Sequence, residues 1–198
     1  MRALIIIDVQ YDFLPGGALA VPNGDEVIKV INRVQQDYDL VVATQDWHPV
    51  GHESFASAHT GTKPFETIDL AGLEQVLWPD HCVQGTDGAQ LSNQLDTRRI
   101  EAIFRKGMEP TIDSYSGFFD NGKRKNTGLA GYLRDRGVTA VSLCGLAADY
   151  CVHFTAMDAL QLGFGTDIIE DAVRAIDERA YTTKKAAFLQ LGGKLNGL

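Results

Sequence analysis

Short apolar runs rich in β-branched residues, separated by longer amphipathic stretches, constrain this chain more than any other feature. The runs are ALIII (3–7), LVVAT (40–44), EAIFR (101–105), TAVSLC (139–144) and TDII (166–169). Each is too short for a buried helix, and such runs between helical segments predict parallel strands buried on both faces. The intervening segments 25–37, 128–137, 149–163 and 178–191 carry helical patterning. Alternating β and α elements of this kind predict an α/β fold with an open, doubly wound, mainly parallel sheet flanked by helices. At 198 residues and 44% hydrophobic, the chain can bury a full core, so one domain over 1–198 is expected.

Charge and cysteine content narrow the function classes. The formal net charge is −8 and the basic residues cluster only at Lys123, Arg124 and Lys125 in NGKRKNTG, which argues against a nucleic-acid surface and for a solvated tip. No apolar stretch approaches the roughly 20 residues that cross a bilayer, so no membrane association is expected. The N-terminal MRALIIIDVQ meets an acid after too short an apolar run for a signal peptide, so a cytoplasmic protein is expected. Cys82, Cys144 and Cys151 form an odd set without a CxxC pair, which suits a reducing compartment and predicts no disulfide framework. A homo-oligomer is compatible with the sequence, which leaves the oligomeric state open.

Residues 45–99 break the pattern, because Gly, Pro, His and Asp dominate there over any sustained periodicity. A long irregular excursion inside a compact domain is usually functional. The predicted strands end at Asp8, Asp46 and Lys106, and the fourth runs through GLAAD into Cys151. Ligands of open α/β sheets bind outside the carboxyl ends of the strands, so these four reactive side chains are expected to converge.

Each candidate has a structural alternative. Cys151 follows Asp149, a plausible N-cap, and in a first helical turn the helix dipole and free amides favour a thiolate; the alternative is a buried apolar cysteine, which is the better description of Cys144. Lys106 is either a solvated strand end or an ammonium that activates a thiol. Asp8 either caps a turn or acts as a general base. In QDWHPVGH (45–52), Asp46 and His48 can face one side of an extended segment but make an incomplete metal site. His81 in WPDHCVQG is the best third ligand, whereas His52 and His59 read as non-ligands and His153 as a packing or surface residue. Phe13, Trp47, Trp78 and Tyr115 are core residues individually, but together at a crevice would form a flat slot for a ring.

The stretches IIDVQYDFLPGGAL (6–19), QDWHPVGHESFA (45–56), WPDHCVQGTDGA (78–89), FRKG (104–107), DSYSGFFDN (113–121) and CGLAADYCVHFTAMDA (144–159) resemble, in order, the nicotinamidase/pyrazinamidase family of isochorismatase-like hydrolases. The resemblance implies a catalytic triad of Asp8, Lys106 and Cys151 and metal ligands Asp46, His48 and His81. It also implies a cis, non-proline peptide between Leu146 and Ala147, an oxyanion hole from the amides of Ala147 and Cys151, and a ring pocket of Phe13, Trp78, Tyr115 and Leu146. Some relatives bring a further loop residue to the metal, and His52 and Ser54 lie where such a ligand, or a residue supporting one, would arise.

The implied activity is hydrolysis of nicotinamide to nicotinate and ammonia in NAD salvage, extending to pyrazinamide, through a Cys151 thioester and with one divalent ion. Zinc is the expected ion, with iron and manganese also suited to imidazole and carboxylate ligands. The competing readings are a related cysteine amidohydrolase acting on another small amide, a two-histidine, one-carboxylate iron oxygenase, and a metal-containing ring-binding module without chemistry.

Overall fold

The structure, a computed structural model that describes residues 1–197, contains eight strands and four α-helices. The strands are β1 (Arg2–Ile7), β2 (Leu40–Asp46), β3 (Thr67–Leu70), β4 (Leu73–Val76), β5 (Ile100–Lys106), β6 (Ala140–Leu146), β7 (Gly165–Arg174) and β8 (Lys194–Asn196). The helices are α1 (Glu26–Val34), α2 (Leu129–Asp135), α3 (His153–Gln161) and α4 (Glu178–Gln190). Six strands form one parallel sheet in the order β5-β2-β1-β6-β7-β8, and β3 and β4 form a separate antiparallel hairpin. The doubly wound α/β expectation is therefore met, and the five apolar runs correspond to β1, β2, β5, β6 and β7.

The sheet is buried on both faces because its central strands carry no polar alternation. Along β1, Leu4 and Ile6 pack with Val27, Ile28 and Ile31 of α1, while Ala3, Ile5 and Ile7 pack with Leu129 and Leu133 of α2, Ala156 of α3 and Phe188 of α4. Full burial of each such aliphatic side chain contributes on the order of 2 kcal/mol. Helix α1 buries Val27, Ile28, Ile31 and Val34, a single stripe at helical spacing, and carries Glu26 in its first turn and Arg33 in its last, each favourable to the helix dipole.

This winding positions the site. From β1 the chain runs through α1 to β2 on one side, whereas from β6 it runs through α3 to β7 on the other. The adjacent carboxyl ends of β1 and β6 thus flank the topological switch point, where such sheets bind ligands. Gly145 permits their close approach: its φ is 109°, and a Cβ there would lie 2.0 Å from the Ile7 carbonyl oxygen.

Two features depart from the sequence reading. The segment expected as one helix over 149–163 opens instead as a π-helical turn, Ala148–Val152, before α3 begins at His153. Asp149 is not its N-cap: Ala147 holds that position, and the Asp149 carboxylate accepts hydrogen bonds from the Ile176 and Asp177 amides at 2.9 Å each. The second departure is the β3–β4 hairpin inside the excursion 45–99, which is tied over the strand ends by bridges between Gln10 and Leu91, His48 and Val83, and Phe55 and Trp78. No helix among the described residues is long and apolar enough to cross a membrane.

Candidate active site and metal centre

Four strand ends deliver the reactive groups. Asp8 directly follows β1 with φ 47°, a left-handed conformation that aspartate tolerates better than most residues. Asp46 and Lys106 are the paired last residues of the neighbouring strands β2 and β5. Cys151 lies in the π-helical turn after β6, and such turns recur at functional sites. The Leu146–Ala147 peptide that leads into this turn is cis, as the family resemblance implies.

Lys106 is the hub. Its ammonium, fully buried, lies 2.9 Å from Asp8 Oδ2 and 2.9 Å from Asp46 Oδ1. It also donates to the Ser114 carbonyl at 3.0 Å and points at Cys151 Sγ at 3.4 Å. Burial alone would lower the Lys106 pKa, but Asp46 and Asp8 outweigh it and raise it well above the ordinary range. Burial raises the Asp8 pKa against the opposing pull of Lys106 and of the Thr44 hydroxyl, which donates to Asp8 Oδ1 at 2.6 Å. Burial likewise pushes the Cys151 thiol well up, with Lys106 opposing and the two aspartates reinforcing it. Burial thus works against a thiolate at Cys151, and Asp8 beside it is placed to act as the base.

A second cluster shares Asp46. One donor atom from each of Asp46, His48 and His81 lies within 4.8 Å of the others, and all three residues are buried. His48 Nδ1 lies 3.0 Å from the Gly107 carbonyl and His81 Nδ1 lies 2.8 Å from the Pro79 carbonyl. A carbonyl accepts only, so each Nδ1 carries the proton and each Nε2 presents its lone pair to Asp46 Oδ2, at 3.4 and 3.7 Å. His48 Nε2 is buried without a hydrogen-bond partner. Burial opposes ionisation of Asp46, but Lys106 and His48 outweigh it and hold this carboxyl well below the usual range. Imidazole lone pairs beside an ionised carboxylate are the donor set of a divalent transition metal, and the chain supports such an ion.

Gly107 makes room for this cluster. Its φ is 67°, and a Cβ there would lie 2.5 Å from His48 Cε1. Gln10 braces the other side: its amide donates to the Asp46 carbonyl and accepts from the Asp46 amide, both at 2.8 Å. His52 stands beside His48 with ring centroids 4.6 Å apart and hydrogen-bonds Ser54, its Nδ1 2.8 Å from Ser54 Oγ and 3.0 Å from the Ser54 amide. Donor atoms of His52, His48 and Asp113 also lie within 4.8 Å of one another, so His52 adjoins the cluster beside His48. His59 is engaged elsewhere, with Nε2 2.7 Å from the Glu53 carbonyl. Trp47 lies under the Arg105 guanidinium, 3.9 Å from its ring centre, outside both clusters.

A narrow crevice opens onto Cys151, Asp46 and His81. Phe13, Trp78 and Tyr115 line it, together with Leu19, Asp113, Ala147, Tyr150 and Ile176. Trp78, Tyr115 and Tyr150 meet edge to face, with centroids 4.8 to 6.2 Å apart. Leu146 is a correction: as the last residue of β6 its side chain turns into the α1 side of the core and is fully buried, and Leu19 and Ile176 supply the aliphatic wall. Tyr150 and Asp113 lie inside motifs quoted above, next to Cys151 and opening DSYS, but only the fold shows that they face the crevice. All three cysteines are free and buried, and Cys144, within β6, contacts only core.

A cysteine, an aspartate and a buried lysine meet at the switch point, beside a His₂Asp cluster with the donor set for a divalent ion, an arrangement that fits a hydrolase. The chain belongs to the isochorismatase family, whose domain it matches over residues 2–196. Within that family it resembles nicotinamidases. It is 50% identical over 180 residues to the nicotinamidase of Escherichia coli, covering 89% of this chain and 84% of that one. The structure superimposes on an Acinetobacter baumanii nicotinamidase/pyrazinamidase with TM-score 0.97 at 44% identity, covering 99% and 95% of the two chains. It matches the yeast nicotinamidase bound to the inhibitor nicotinaldehyde with TM-score 0.95 at 33% identity, covering 100% of both chains. A Pyrococcus horikoshii pyrazinamidase in complex with zinc matches with TM-score 0.81 at 37% identity, covering 100% and 99%.

Proposed function

We propose that this chain is a nicotinamidase, a single-domain hydrolase that converts nicotinamide to nicotinate and ammonia. The observation that carries this reading is the buried Lys106 ammonium, which joins the Asp8 base, the Cys151 thiol and the Asp46 carboxylate beneath an aromatic crevice that Cys151 and Asp46 line. The family's nicotinamidases support the choice of substrate, and the amide of pyrazinamide presents the same chemistry.

In the first half-reaction Asp8 takes the Cys151 proton and Sγ bonds to the carboxamide carbon. Lys106 holds the thiolate and Asp8 in register, since its ammonium contacts both. The amides of Ala147 and Cys151 receive the oxyanion, each such donor lowering the barrier by about 3 kcal/mol. Asp8 then passes its proton to the nitrogen as the C–N bond breaks, which releases ammonia and leaves a thioester. In the second half-reaction Asp8 takes a proton from water, the hydroxyl oxygen bonds to the acyl carbon, the C–S bond breaks and the thiolate recovers the proton. Phe13, Trp78, Tyr115 and Tyr150 grip the ring and exclude water from its faces.

Asp46, His48 and His81 would hold the divalent ion, which we assign as zinc because two imidazoles and a carboxylate suit it. When bound, the ion supplies a Lewis-acid anchor for a ring nitrogen, which orients the carboxamide over Cys151. His52 and Ser54 support the cluster from outside it. A cytoplasmic location accords with three free cysteines. Ammonia release from nicotinamide, measured with and without chelation, tests the function: release abolished by chelation and restored by zinc is expected, and ring binding without ammonia would favour a non-catalytic module.

A further inference from the structure

Helix α4 presents to the core a stripe formed by Tyr181, Lys184, Lys185 and Phe188, at helical spacing. Tyr181 and Phe188 are buried and apolar, as a core-facing stripe requires. Lys185 leaves the stripe sideways to pair with Glu170 at 3.0 Å. Lys184 has no such exit: it is half-buried, and among the described residues no carboxylate lies within ion-pair distance of its ammonium. A lysine so placed gives up part of its hydration for a carbonyl and two aromatic rings, with the Asp149 carboxylate acting on it only from beyond ion-pair distance, which core packing alone does not explain.

Its contacts lie on the turn that carries the nucleophile and on the first turn of α3 that follows it. The ammonium donates to the Asp149 carbonyl, lies 4.3 Å from the centre of the Tyr150 ring and 5.2 Å from that of Phe154. Asp149 and Tyr150 are the second and third residues of the π-helical turn Ala148–Val152, and Cys151 is the fourth. The same helix grips this turn at its start, where the Asp149 carboxylate holds the Ile176 and Asp177 amides and Asp177 in turn caps α4 through the Arg179 and Ala180 amides. The turn is thus clamped to α4 at two points, one through the Asp149 side chain and one through its carbonyl.

We infer that Lys184 is a positioning residue for the reaction: its ammonium, held by the Asp149 carbonyl and the Tyr150 ring, fixes the peptide planes of the π-helical turn and so aims Cys151 Sγ and the Tyr150 crevice wall. The inference rests on the hydrolase reading for its consequence in turnover, but the reactivity of the thiol reports on it without any substrate. A nucleophile displaced by about 1 Å loses up to about a hundredfold in rate, and among the described residues no other side-chain cation contacts Asp149.

The test compares Lys184→Met, which keeps the stem, with Lys184→Arg, which keeps the cation, in the metal-loaded enzyme. Nicotinamide turnover, the rate of Cys151 alkylation by iodoacetamide at one fixed pH, and the thermal midpoint are measured together. The expected result is that K184M, still folded at the assay temperature, loses at least about tenfold in kcat with KM held within about twofold. Its alkylation rate falls in parallel, and K184R recovers most of both. Unchanged kcat and alkylation in folded K184M, or a loss that K184R does not recover, would overturn the assignment. Should K184M melt below the assay temperature, Lys184→Gln, which keeps a donor without the charge, is read by the same criteria. A parent enzyme that releases no ammonia from nicotinamide refutes the proposed function alone, because the alkylation contrast between parent and K184M still decides the role of Lys184.

Discussion

Replacing Gly107 by alanine probes how tightly the backbone shapes the metal centre. The new Cβ would lie 2.5 Å from His48 Cε1, 2.7 Å from His48 Nδ1 and 3.0 Å from Asp46 Oδ1. Carbon atoms pack at roughly 3.5 Å or more, so the imidazole must retreat by about 1 Å or the backbone must move. Either movement breaks the 3.0 Å bond by which Gly107 orients His48. The backbone contributes a second penalty: φ is 67° at this position, and an alanine held there costs about 1–2 kcal/mol. Loss of such an orienting contact typically weakens metal affinity by about 10- to 100-fold. A competition titration against a chromogenic chelator reads that change directly, and ammonia release at saturating zinc separates lost metal from a damaged site. G107A should bind zinc at least about tenfold more weakly and recover part of its turnover at high zinc. Parental zinc affinity in a folded G107A would refute both the ligand assignment of His48 and the steric argument.

Other substitutions separate the roles of the remaining groups. Cys151→Ala should abolish turnover while metal content by elemental analysis stays at the parental value, since Cys151 is not among Asp46, His48 and His81. Thr44→Val removes the 2.6 Å donor from Asp8; losing a bond to a buried carboxylate should cost about 1–3 kcal/mol in denaturant unfolding. That bond favours the ionised form, so T44V should also move the acid limb of kcat/KM to higher pH, toward greater retention of the Asp8 proton. Zinc retention should fall with acidity. Burial lowers the His48 pKa but Asp46 outweighs it and raises it, so protons compete with the metal already above the ordinary histidine value of about 6.5. Chelator titrations across this range should show affinity declining as pH falls, and a flat profile down to pH values of about 5 would contradict the assignment.

The convergence of Asp8, Asp46, Lys106 and Cys151 was legible because each closes or follows an apolar run whose end is plain in the sequence, and the switch-point rule does the rest. His81 was legible only through the family resemblance and its place in the excursion, since nothing in its spacing from His48 names it as a ligand. The β3–β4 hairpin was not legible. Its tight turn is Ala71–Gly72, both at positive φ, where a sequence signal would require Asn-Gly or Asp-Gly. Gln10 and Thr44 escaped notice because a neutral polar residue at a strand end reads as ordinary, and only three-dimensional packing turns them toward Asp46 and Asp8. Asp149 looked like a helix cap because Asp favours that position, but the π-helical turn moves its carboxylate to the β7–α4 connection. Leu146 followed its motif into the expected pocket, whereas the pleat of β6 points it into the core.

The claim that Cys151 carries the acyl group is tested most directly by acid-quenching the enzyme during turnover of nicotinamide and analysing its peptides by mass spectrometry. A nicotinoyl thioester on the peptide containing Cys151, present in the steady state and lost once substrate is exhausted, is the expected result. Nicotinate formed by the parent at full rate with no acylated Cys151 peptide at any quench time, or formed by Cys151→Ala, would contradict it.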